Sequence, residues 1–357
     1  MDSPVSPPGA GAAGAATAPD PAPVYAAIDL GTNNCRLLIA RPYRDRSGRD
    51  GFRVVEAFSR IVRLGEGLST SGRLSDAAMA RTIEALKICS EKMARRNVSS
   101  ARAVATEACR RAANGTEFLH EVKAATGISL DIITTAEEAR LALNGCSPLL
   151  EPPHREAIVF DIGGGSTEIL WAKLLGGGRT EVIDWISLPF GVVNLTERFG
   201  PGDVQSGSYA QMIDLVADEL RPFEVKHGLS QKLQSGQIQV LGTSGTVTTL
   251  AGVHLNLPRY ERRHVDGCWL EFSTVIEQSR RLASISVPER ASHPCIGEER
   301  ADLVVAGCAI LEALYRFWPA TRLRVADRGV REGVLVELMG QRRQVGDRHY
   351  NSGWRRR

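Results

Sequence analysis

The chain carries two copies of one short pattern: an apolar run, an aspartate, a glycine-containing turn and a second apolar run. The first copy occupies residues 25–40 with Asp29 at the turn, and the second occupies residues 158–171 with Asp161 there. Two short apolar runs on either side of a glycine turn are typical of a β-hairpin. The repeat therefore predicts a duplicated α/β unit, with one hairpin opening each half of the chain.

The two turns have the composition of a metal and phosphate site. Glycine lets backbone N–H groups approach an anion closely, and the neighbouring hydroxyl and amide side chains add hydrogen-bonding groups. The carboxylates of Asp29, Asp161 and Glu168 are the oxygen ligands that Mg²⁺ prefers. One such turn alone could be only a hairpin connection, but the second copy favours a site built from both.

A third segment rich in glycine and hydroxyl side chains, residues 242–246, follows the apolar run at residues 238–241. Its position predicts a strand followed by a helix, and a helix N-terminus of this composition binds anions readily. Simple capping of the helix by Ser244 and Thr246 is the alternative explanation.

Further candidate residues follow a predicted strand and a predicted turn. Thr106 and Arg110 come after the short apolar run at residues 101–105, at the edge of the sheet where ligands of open α/β folds bind. Arg331 follows a glycine turn near the end of the chain. All three are candidates for contact with an anionic substrate.

Glu137 and Glu138 lie in the first turn of a helix that is predicted to begin at Thr134. Acidic residues at this position stabilise the positive end of the helix dipole by about 0.3–1 kcal/mol each. At the junction of two domains, one of them could instead face the cleft and accept a proton from water.

The composition excludes several classes of protein. A length of 357 residues favours two domains, and no apolar run approaches the roughly 18 residues of a membrane span. The N-terminus lacks the basic and apolar regions of a secretory signal, and the seven cysteines are dispersed without disulfide or zinc spacing. We therefore expect a cytoplasmic protein with reduced thiols and no membrane partner.

The charged residues point to an anionic ligand only weakly. The net charge of +3 is too small to predict nucleic-acid binding. The chain contains 38 Arg and 6 Lys, and the planar guanidinium group suits bidentate contact with phosphate. A GC-rich genome would produce the same bias, so only the arginines near the motifs count as evidence.

Taken together, the motifs resemble the exopolyphosphatase and guanosine pentaphosphate phosphohydrolase (Ppx/GppA) family, within the actin, hexokinase and sugar-kinase superfamily. Six segments carry the likeness, in the order that the family has: residues 28–36, 105–110, 137–140, 161–168, 242–245 and 327–333. Each segment is ambiguous alone, whereas six in order are specific.

The resemblance implies an α/β fold of two ribonuclease-H-like domains that face a central cleft. We expect these domains at residues 23–141 and 142–340. A disordered tail rich in proline and alanine would precede them at residues 1–22, and a basic tail would follow at residues 341–357.

The resemblance also implies a role for each motif residue. Glu138 is the expected general base, and Asp161, Glu168 and Asp29 are the expected residues for Mg²⁺, held directly or through water, with Mn²⁺ as an alternative. The expected phosphate-binding residues are Gly31, Thr32, Asn33, Asn34, Arg36, Thr106, Arg110, Gly163, Gly164, Gly165, Ser166, Thr167, Gly242, Thr243, Ser244, Gly245 and Arg331.

The chain departs from the family's pattern in three places. The first turn reads Thr32-Asn33-Asn34 where Ser-Asn-Ser is usual, and Thr134-Thr135 replaces a Ser-Gly pair before the expected base. Long members of the family also carry a helical domain after the final motif, whereas this chain ends soon after it. We therefore expect no preference for very long polyphosphate.

The activity implied is Mg²⁺-dependent hydrolysis of terminal phosphoanhydride bonds, with release of orthophosphate from inorganic polyphosphate. Guanosine pentaphosphate is the alternative substrate, and a superfamily kinase or ATPase and a non-enzymatic sensor of either ligand are further alternatives. No nucleic-acid partner is expected, and a homodimer is compatible with the resemblance. The sequence ranks neither the substrates nor their chain lengths.

Overall fold

The computed structural model describes residues 23–44, 50–201 and 207–340. The two predicted tails lie outside the described residues. The strands are β1 (Tyr25–Leu30), β2 (Asn34–Arg44), β3 (Asp50–Ile61), β4 (Ser100–Ala105), β5 (Leu130–Ile132), β6 (Glu156–Ile162), β7 (Thr167–Gly176), β8 (Arg179–Leu188), β9 (Ile238–Thr243), β10 (Trp269–Glu271) and β11 (Arg322–Ala326).

The α-helices alternate with these strands. They are α1 (Leu68–Ser71), α2 (Asp76–Arg95), α3 (Glu107–Arg111), α4 (Gly115–Thr126), α5 (Thr135–Cys146), α6 (Val192–Phe199), α7 (Ser208–His227), α8 (Leu229–Gln234), α9 (Ser244–His254), α10 (Arg262–Val265), α11 (Phe272–Ser284), α12 (Val287–Ala291) and α13 (Val304–Phe317), with a last helix, α14, at residues 330–340.

The strands form two sheets with matching topology. The first has the order β3-β2-β1-β4-β5, and the second has the order β10-β11-β9-β6-β7-β8. In each sheet a three-stranded antiparallel meander (β1-β2-β3 or β6-β7-β8) is extended by two parallel strands on the side of its first strand. In the second sheet β10 then adds an antiparallel edge strand. The duplication predicted from the two hairpins is therefore confirmed, and it produces two ribonuclease-H-like halves.

Each sheet packs helices on its outer face. The outer core of the first half contains Leu86 of α2 and Phe118 of α4 against the apolar side of β1 and β2. In the second half, α7, α9, α11 and α13 enclose a larger core that includes Phe160 and Trp318. These packed faces make the two sheets rigid supports for the turns at their edges.

Helices α5 and α14 lie between the two sheets. Leu141 and Ala142 of α5 share a core with β1, β2 and the apolar side of α14, whereas Ala139, Leu143 and Cys146 of α5 pack against β6, β7 and β9. Because α5 is apolar on two sides, it joins the two sheets and fixes the position of its own N-terminus in the cleft.

Two glycines allow the helices to cross at backbone distance. A Cβ atom added to Gly333 would lie 2.0 Å from the carbonyl oxygen of Leu141, and one added to Gly145 would lie 2.1 Å from the carbonyl oxygen of Gly329. A side chain at either position would therefore push α5 and α14 apart.

The structure differs from the sequence predictions in some details. The expected boundary between residues 141 and 142 falls inside α5, and α14, which was assigned to the second half, packs on the first sheet. Helix α13 begins at Val304, because residues 298–303 form successive turns. The short helix α12 precedes these turns.

Candidate active site

The turns of the two hairpins touch each other at the base of the cleft. A Cβ atom added to Gly164 would lie 2.9 Å from Cβ of Thr32 and 3.2 Å from the backbone nitrogen of Asn33. One added to Gly165 would lie 3.0 Å from Oγ1 of Thr32. Only glycine permits this approach, and the contact encloses a chamber of about 70 Å³.

Most of the predicted site residues line this chamber. It is bounded by Asp29, Gly31, Thr32, Asn33, Asn34, Arg36, Thr106, Glu138, Asp161, Gly163, Gly164, Gly165, Ser166, Glu168 and Ser244, together with Glu107 and Val330. Segments from both sheets and from α3 and α5 thus converge on a volume of the size of one phosphate group.

The two hairpins differ in charge at one equivalent position. In the backbone register, Asp29 of β1 lies opposite Arg36 of β2, and Asp161 of β6 lies opposite Glu168 of β7. The first hairpin therefore presents an aspartate beside a cation, whereas the second presents two carboxylates. This difference makes one side of the chamber suited to a metal ion and the other to a phosphate oxygen.

Glu138 enters the chamber from the first turn of α5. The hydroxyl of Thr134 caps this helix by accepting a hydrogen bond from the backbone N–H of Glu137. Glu138 Oε2 accepts hydrogen bonds from Arg110 Nη1 and Nη2 at 3.2 and 3.3 Å. By contrast, Glu137 points away and pairs with Arg102 at 2.6 Å. The structure therefore separates the two predicted acids.

Arg110 contacts two carboxylates, and its side chain does not line the chamber. Its Nη2 donates to Glu107 Oε2 at 2.7 Å, and its Nη1 donates to the carbonyl of Ile133 at 2.8 Å. Because Glu107 and Glu138 both contact this guanidinium group, Arg110 orients the expected base. The structure therefore gives Arg110 a positioning contact with Glu138, and its contact with phosphate stays a prediction.

The carboxylates of the second hairpin have raised pKa values. Burial, with Asp29 adding its negative charge and Arg36 opposing, raises the pKa of Asp161 to about 6. Burial and the charge of Asp161 raise the pKa of Glu168 to about 7, although hydroxyls of Ser166 and Ser187 donate to Glu168 at 2.7 and 2.9 Å. Both groups would be stabilised by a bound cation.

The same physical causes act on Glu138 and Asp29. Burial, followed by the negative charge of Glu168, raises the pKa of Glu138 well above its ordinary value, and Arg110 opposes this shift. Burial also raises the pKa of Asp29, with Arg36 opposing. Four acids crowded in one buried volume are typical of a functional site, because a purely structural role would not repay the repulsion.

The donor set fits a hydrated magnesium ion. Within residues 23–44, 50–201 and 207–340, no three His, Cys, Asp or Glu side chains are close enough together to form a complete metal site. Mg²⁺ usually keeps several waters and binds through one or two carboxylates together with substrate phosphates. The buried amide oxygens of Asn33 and Asn34 have no hydrogen-bond partner among the described residues, so the chamber wall has acceptors available for such waters.

A larger cavity of about 400 Å³ adjoins the chamber and is rich in arginine. The two share the walls formed by Asp29, Arg36 and Asp161. Arginines at positions 36, 262, 300, 328 and 331 line it. This basic cavity, as we call it below, therefore provides cationic binding for groups attached to a phosphate in the chamber.

Two of these five arginines form close ion pairs with carboxylates, whereas two others form none among the described residues. Arg262 pairs with Glu332 at 2.9 Å and Arg328 pairs with Asp266 at 2.8 Å. Arg36 and Arg300 form no ion pair with any residue in the described ranges. Burial and the nearby charge of Arg36 lower the pKa of Arg300. These two cations are therefore available for an anionic ligand.

Three of the four residues predicted from the third glycine segment line a cavity. Thr243, Ser244 and Gly245 line the basic cavity, as does Arg331. Ser244 adopts a left-handed backbone conformation with φ of 83°, which costs a non-glycine residue about 1–3 kcal/mol. Strain of this kind, at a residue that also lines the chamber, agrees with a functional role.

Besides Arg110, two of the predicted phosphate-binding residues line neither cavity. Thr167 is buried and donates its hydroxyl hydrogen bond to the carbonyl of Phe190 at 2.8 Å. Gly242 lies within β9, where an added Cβ atom would lie 2.6 Å from the ring of Phe160. The side chain of Thr167 therefore anchors a loop and Gly242 leaves room for an aromatic ring, and the lining of neither cavity supports their predicted contact with phosphate.

Several site residues could not be found from the sequence. Glu107 lines the chamber although its sequence neighbours resemble an ordinary helix start. Arg300 belongs to the turns before α13, and Tyr260 and Arg262 belong to the segment between α9 and β10. Only the three-dimensional arrangement places them together, since no local pattern marks them.

No helix in the described part of the chain has both the length and the apolar character needed to cross a bilayer.

The fold consists of two ribonuclease-H-like halves whose hairpin turns meet at a buried, acidic chamber. A sequence profile of the Ppx/GppA phosphatase family matches residues 43–342. The chain therefore belongs to the Ppx/GppA phosphatase family and is a hydrolase that acts on phosphoanhydride bonds, as its sequence predicted.

Individual relatives agree with this assignment. The chain is 30% identical over 331 residues to exopolyphosphatase 2 of Mycobacterium tuberculosis, with 88% of this chain and 98% of the relative covered. It is 29% identical over 323 residues to guanosine-5'-triphosphate,3'-diphosphate pyrophosphatase of Aeromonas salmonicida, of which it spans 60%.

Solved structures show the same fold. The family member from Aquifex aeolicus is 30% identical, with a TM-score of 0.70 over 90% of this chain and 99% of that one. An exopolyphosphatase from Cytophaga hutchinsonii is 24% identical, with a TM-score of 0.75 over 89% of this chain and 98% of that one.

Proposed function

We propose that the protein is an Mg²⁺-dependent exopolyphosphatase, which removes terminal phosphate groups from inorganic polyphosphate. The observation that carries the proposal is the basic cavity of about 400 Å³, which opens into the chamber that contains Glu138. A linear polyanion needs this combination: one end in a small chamber, and the following phosphates beside Arg36 and Arg300.

Glu138 acts as the general base in this proposal. Water attacks the terminal phosphorus, and a new P–O bond forms as the bond from phosphorus to the bridging oxygen breaks. One proton of the water passes to the Glu138 carboxylate, and the bridging oxygen leaves with the electron pair as the new end of the shortened chain. A raised pKa improves Glu138 as a base near neutral pH.

The chain's own residues position the reacting groups. Backbone N–H groups of the two glycine turns and the guanidinium group of Arg36 face the transferred phosphate, and Arg110 holds Glu138 through its two contacts. Asp161 and Glu168 would hold Mg²⁺ directly or through water, and that ion would neutralise charge on the phosphate oxygens. Phosphoryl transfer depends mainly on such positioning and electrostatic stabilisation.

Guanosine pentaphosphate is the second candidate substrate. The aromatic ring of Tyr260 stands in the wall of the basic cavity, where a guanine base could pack beside it while the phosphates reach the chamber. The Aeromonas relative, whose name describes a guanosine nucleotide as substrate, supports this reading.

A substrate panel tests both candidates. Purified protein is incubated with short polyphosphate, long polyphosphate or guanosine pentaphosphate, with Mg²⁺, with Mn²⁺ or with a chelator, and released orthophosphate is measured. We expect metal-dependent release from short polyphosphate. Release from guanosine pentaphosphate alone would favour the second candidate, and binding without release from either would indicate a sensor. ATP turnover stimulated by a sugar would indicate a kinase.

A further inference from the structure

On the side away from the basic cavity, the chamber has a wall in which a Cβ atom added to Gly165 would lie 2.9 Å from Cγ of Glu107 and 3.0 Å from Oγ1 of Thr32. Thr32, Glu107 and Gly165 line both the chamber and a narrow passage of about 10 Å³. This passage leads to a surface groove of about 650 Å³, with which it shares Ser69 and Glu197. We call these two features the passage and the outer groove.

The basic cavity and the passage border different parts of the chamber. The basic cavity meets the chamber at Asp29, Arg36 and Asp161. The passage meets it at Glu107, whose carboxylate is linked through Arg110 to that of Glu138. The base therefore stands on the side of the passage, and the leaving chain would stand on the side of the arginines.

The positions of the two cavities bear on how orthophosphate leaves the chamber. Hydrolysis of a terminal phosphate leaves orthophosphate at the Glu138 end of the chamber, while the shortened chain still occupies the basic cavity. The product cannot leave through the basic cavity unless the chain dissociates first. A route through the passage would release orthophosphate and leave the chain bound.

The passage is closed by a contact between the two halves of the protein. Glu197 of α6 accepts a hydrogen bond from the backbone N–H of Gly67 at 2.7 Å and another from the hydroxyl of Ser69. A volume of about 10 Å³ holds roughly one water molecule. The passage therefore has room for a water molecule, and orthophosphate needs both the wall at Gly165 and the Glu197 contact to open.

The outer groove offers cations to a departing anion. Arg111 and Arg198 line it. The side chain of Arg111 is 45% exposed, and its ion pair with Glu107 is long, at 3.7 Å. Arg111 therefore can exchange a weak carboxylate contact for a phosphate contact at the outer end of the passage.

We propose that orthophosphate leaves through the passage into the outer groove, with the Glu197 contact as its latch and Arg111 as its first cationic contact. The proposal rests on the phosphohydrolase function proposed above, and it adds a route by which a bound chain can be shortened repeatedly.

Bulky substitutions at neighbouring positions of α1 test this route. Ser69→Trp places a large side chain in the passage and the outer groove, whereas Ser71→Trp, on the same helix, lies outside both and is the matched control. Cleavage in the first turnover of short polyphosphate is measured by rapid quench, and free orthophosphate is measured in parallel with a fluorescent phosphate sensor.

We expect first-turnover cleavage by Ser69→Trp to stay within about twofold of the wild type, while steady-state release falls roughly tenfold or more because product release becomes limiting. Ser71→Trp should release phosphate at the wild-type rate. Arg111→Glu, which reverses the charge of the groove, should slow release by several-fold at low ionic strength and less at high ionic strength.

The outcomes separate this proposal from the proposed function. If Ser69→Trp and Arg111→Glu both cleave and release phosphate at wild-type rates, the route is wrong although the enzyme is a phosphohydrolase. Loss of first-turnover cleavage in Ser69→Trp together with normal release by Arg111→Glu would also overturn it. Absence of cleavage by the wild type would refute the proposed function instead.

Discussion

Substitution of Glu138 by Gln tests the assigned base with little change in shape. In the structure the side chain contacts Arg110, and that guanidinium group keeps its bonds to Glu107 and to the carbonyl of Ile133 when Glu138 loses its charge. The local fold should therefore survive. Loss of a general base lowers a rate by about 10²–10⁴, which corresponds to about 3–5 kcal/mol in the activation barrier.

The adjacent acid supplies a matched control. Glu137 belongs to the same helical turn but pairs with Arg102 outside the chamber. We expect Glu138→Gln to reduce single-turnover hydrolysis of short polyphosphate by about 10²–10⁴, with substrate binding nearly unchanged, and Glu137→Gln to hydrolyse at close to the wild-type rate. Single-turnover rates and equilibrium binding at saturating Mg²⁺ give the measurement.

The pH dependence of stability adds an independent check on Glu138→Gln. Because the folded state raises the pKa of Glu138, protonation of this group stabilises the fold below its unfolded pKa, and the contribution is lost as pH rises through the folded pKa. The Gln variant has no such dependence, so its thermal midpoint relative to the wild type should rise with pH. Unaltered hydrolysis, or equal losses in both variants, would remove Glu138 from the mechanism.

Three further predictions concern the metal, the substrate and the fold. The pKa of about 7 for Glu168 predicts that protons compete with Mg²⁺ as pH falls, so the apparent Mg²⁺ affinity should weaken by up to about tenfold per pH unit below 7; a flat profile in a pH-resolved Mg²⁺ titration would exclude Glu168. Arg300→Ala should raise KM for polyphosphate by about 10–100-fold with a smaller effect on kcat, because a charged hydrogen bond contributes about 1.5–3 kcal/mol. Arg221→Ala, on the exposed side of α7, is its control, and equal kinetics for the two variants would contradict the prediction. Gly333→Ala should lower the free energy of unfolding by about 1–3 kcal/mol, since its Cβ atom would lie 2.0 Å from a carbonyl of α5. Gly340→Ala, with open space around it, should leave the denaturant midpoint unchanged, and similar midpoints for both would argue against the crossing.

The parts of the site that the sequence predicted are those that local patterns encode. Asp29 and Asp161 lie at hairpin turns whose apolar runs and glycines are visible in a short window, and the repetition of that window led to two matching halves. The N-cap at Thr134 likewise follows from a local rule, and it places Glu138 at a helix start. These features needed no knowledge of distant contacts.

The parts that were missed depend on packing between distant segments. Glu107 and Arg300 acquire their positions only when α3 and the turns before α13 approach the cleft. Thr167 follows Ser166 in the same glycine turn and also carries a hydroxyl, yet that hydroxyl donates a hydrogen bond to the carbonyl of Phe190. A sequence motif shows which residues surround a site, whereas the directions of their side chains are decided by tertiary structure.

The position of α14 has a consequence for how the protein is made. Val330, Val334 and Leu335 complete the inner core of the sheet that contains β1, although about 190 residues separate them from Leu141. At a synthesis rate of roughly 5–20 residues per second, these partners are made about 10–40 s apart. During translation the apolar inner face of the first sheet therefore stays uncovered until the last helix is made. A chaperone that binds the nascent chain would bind this face.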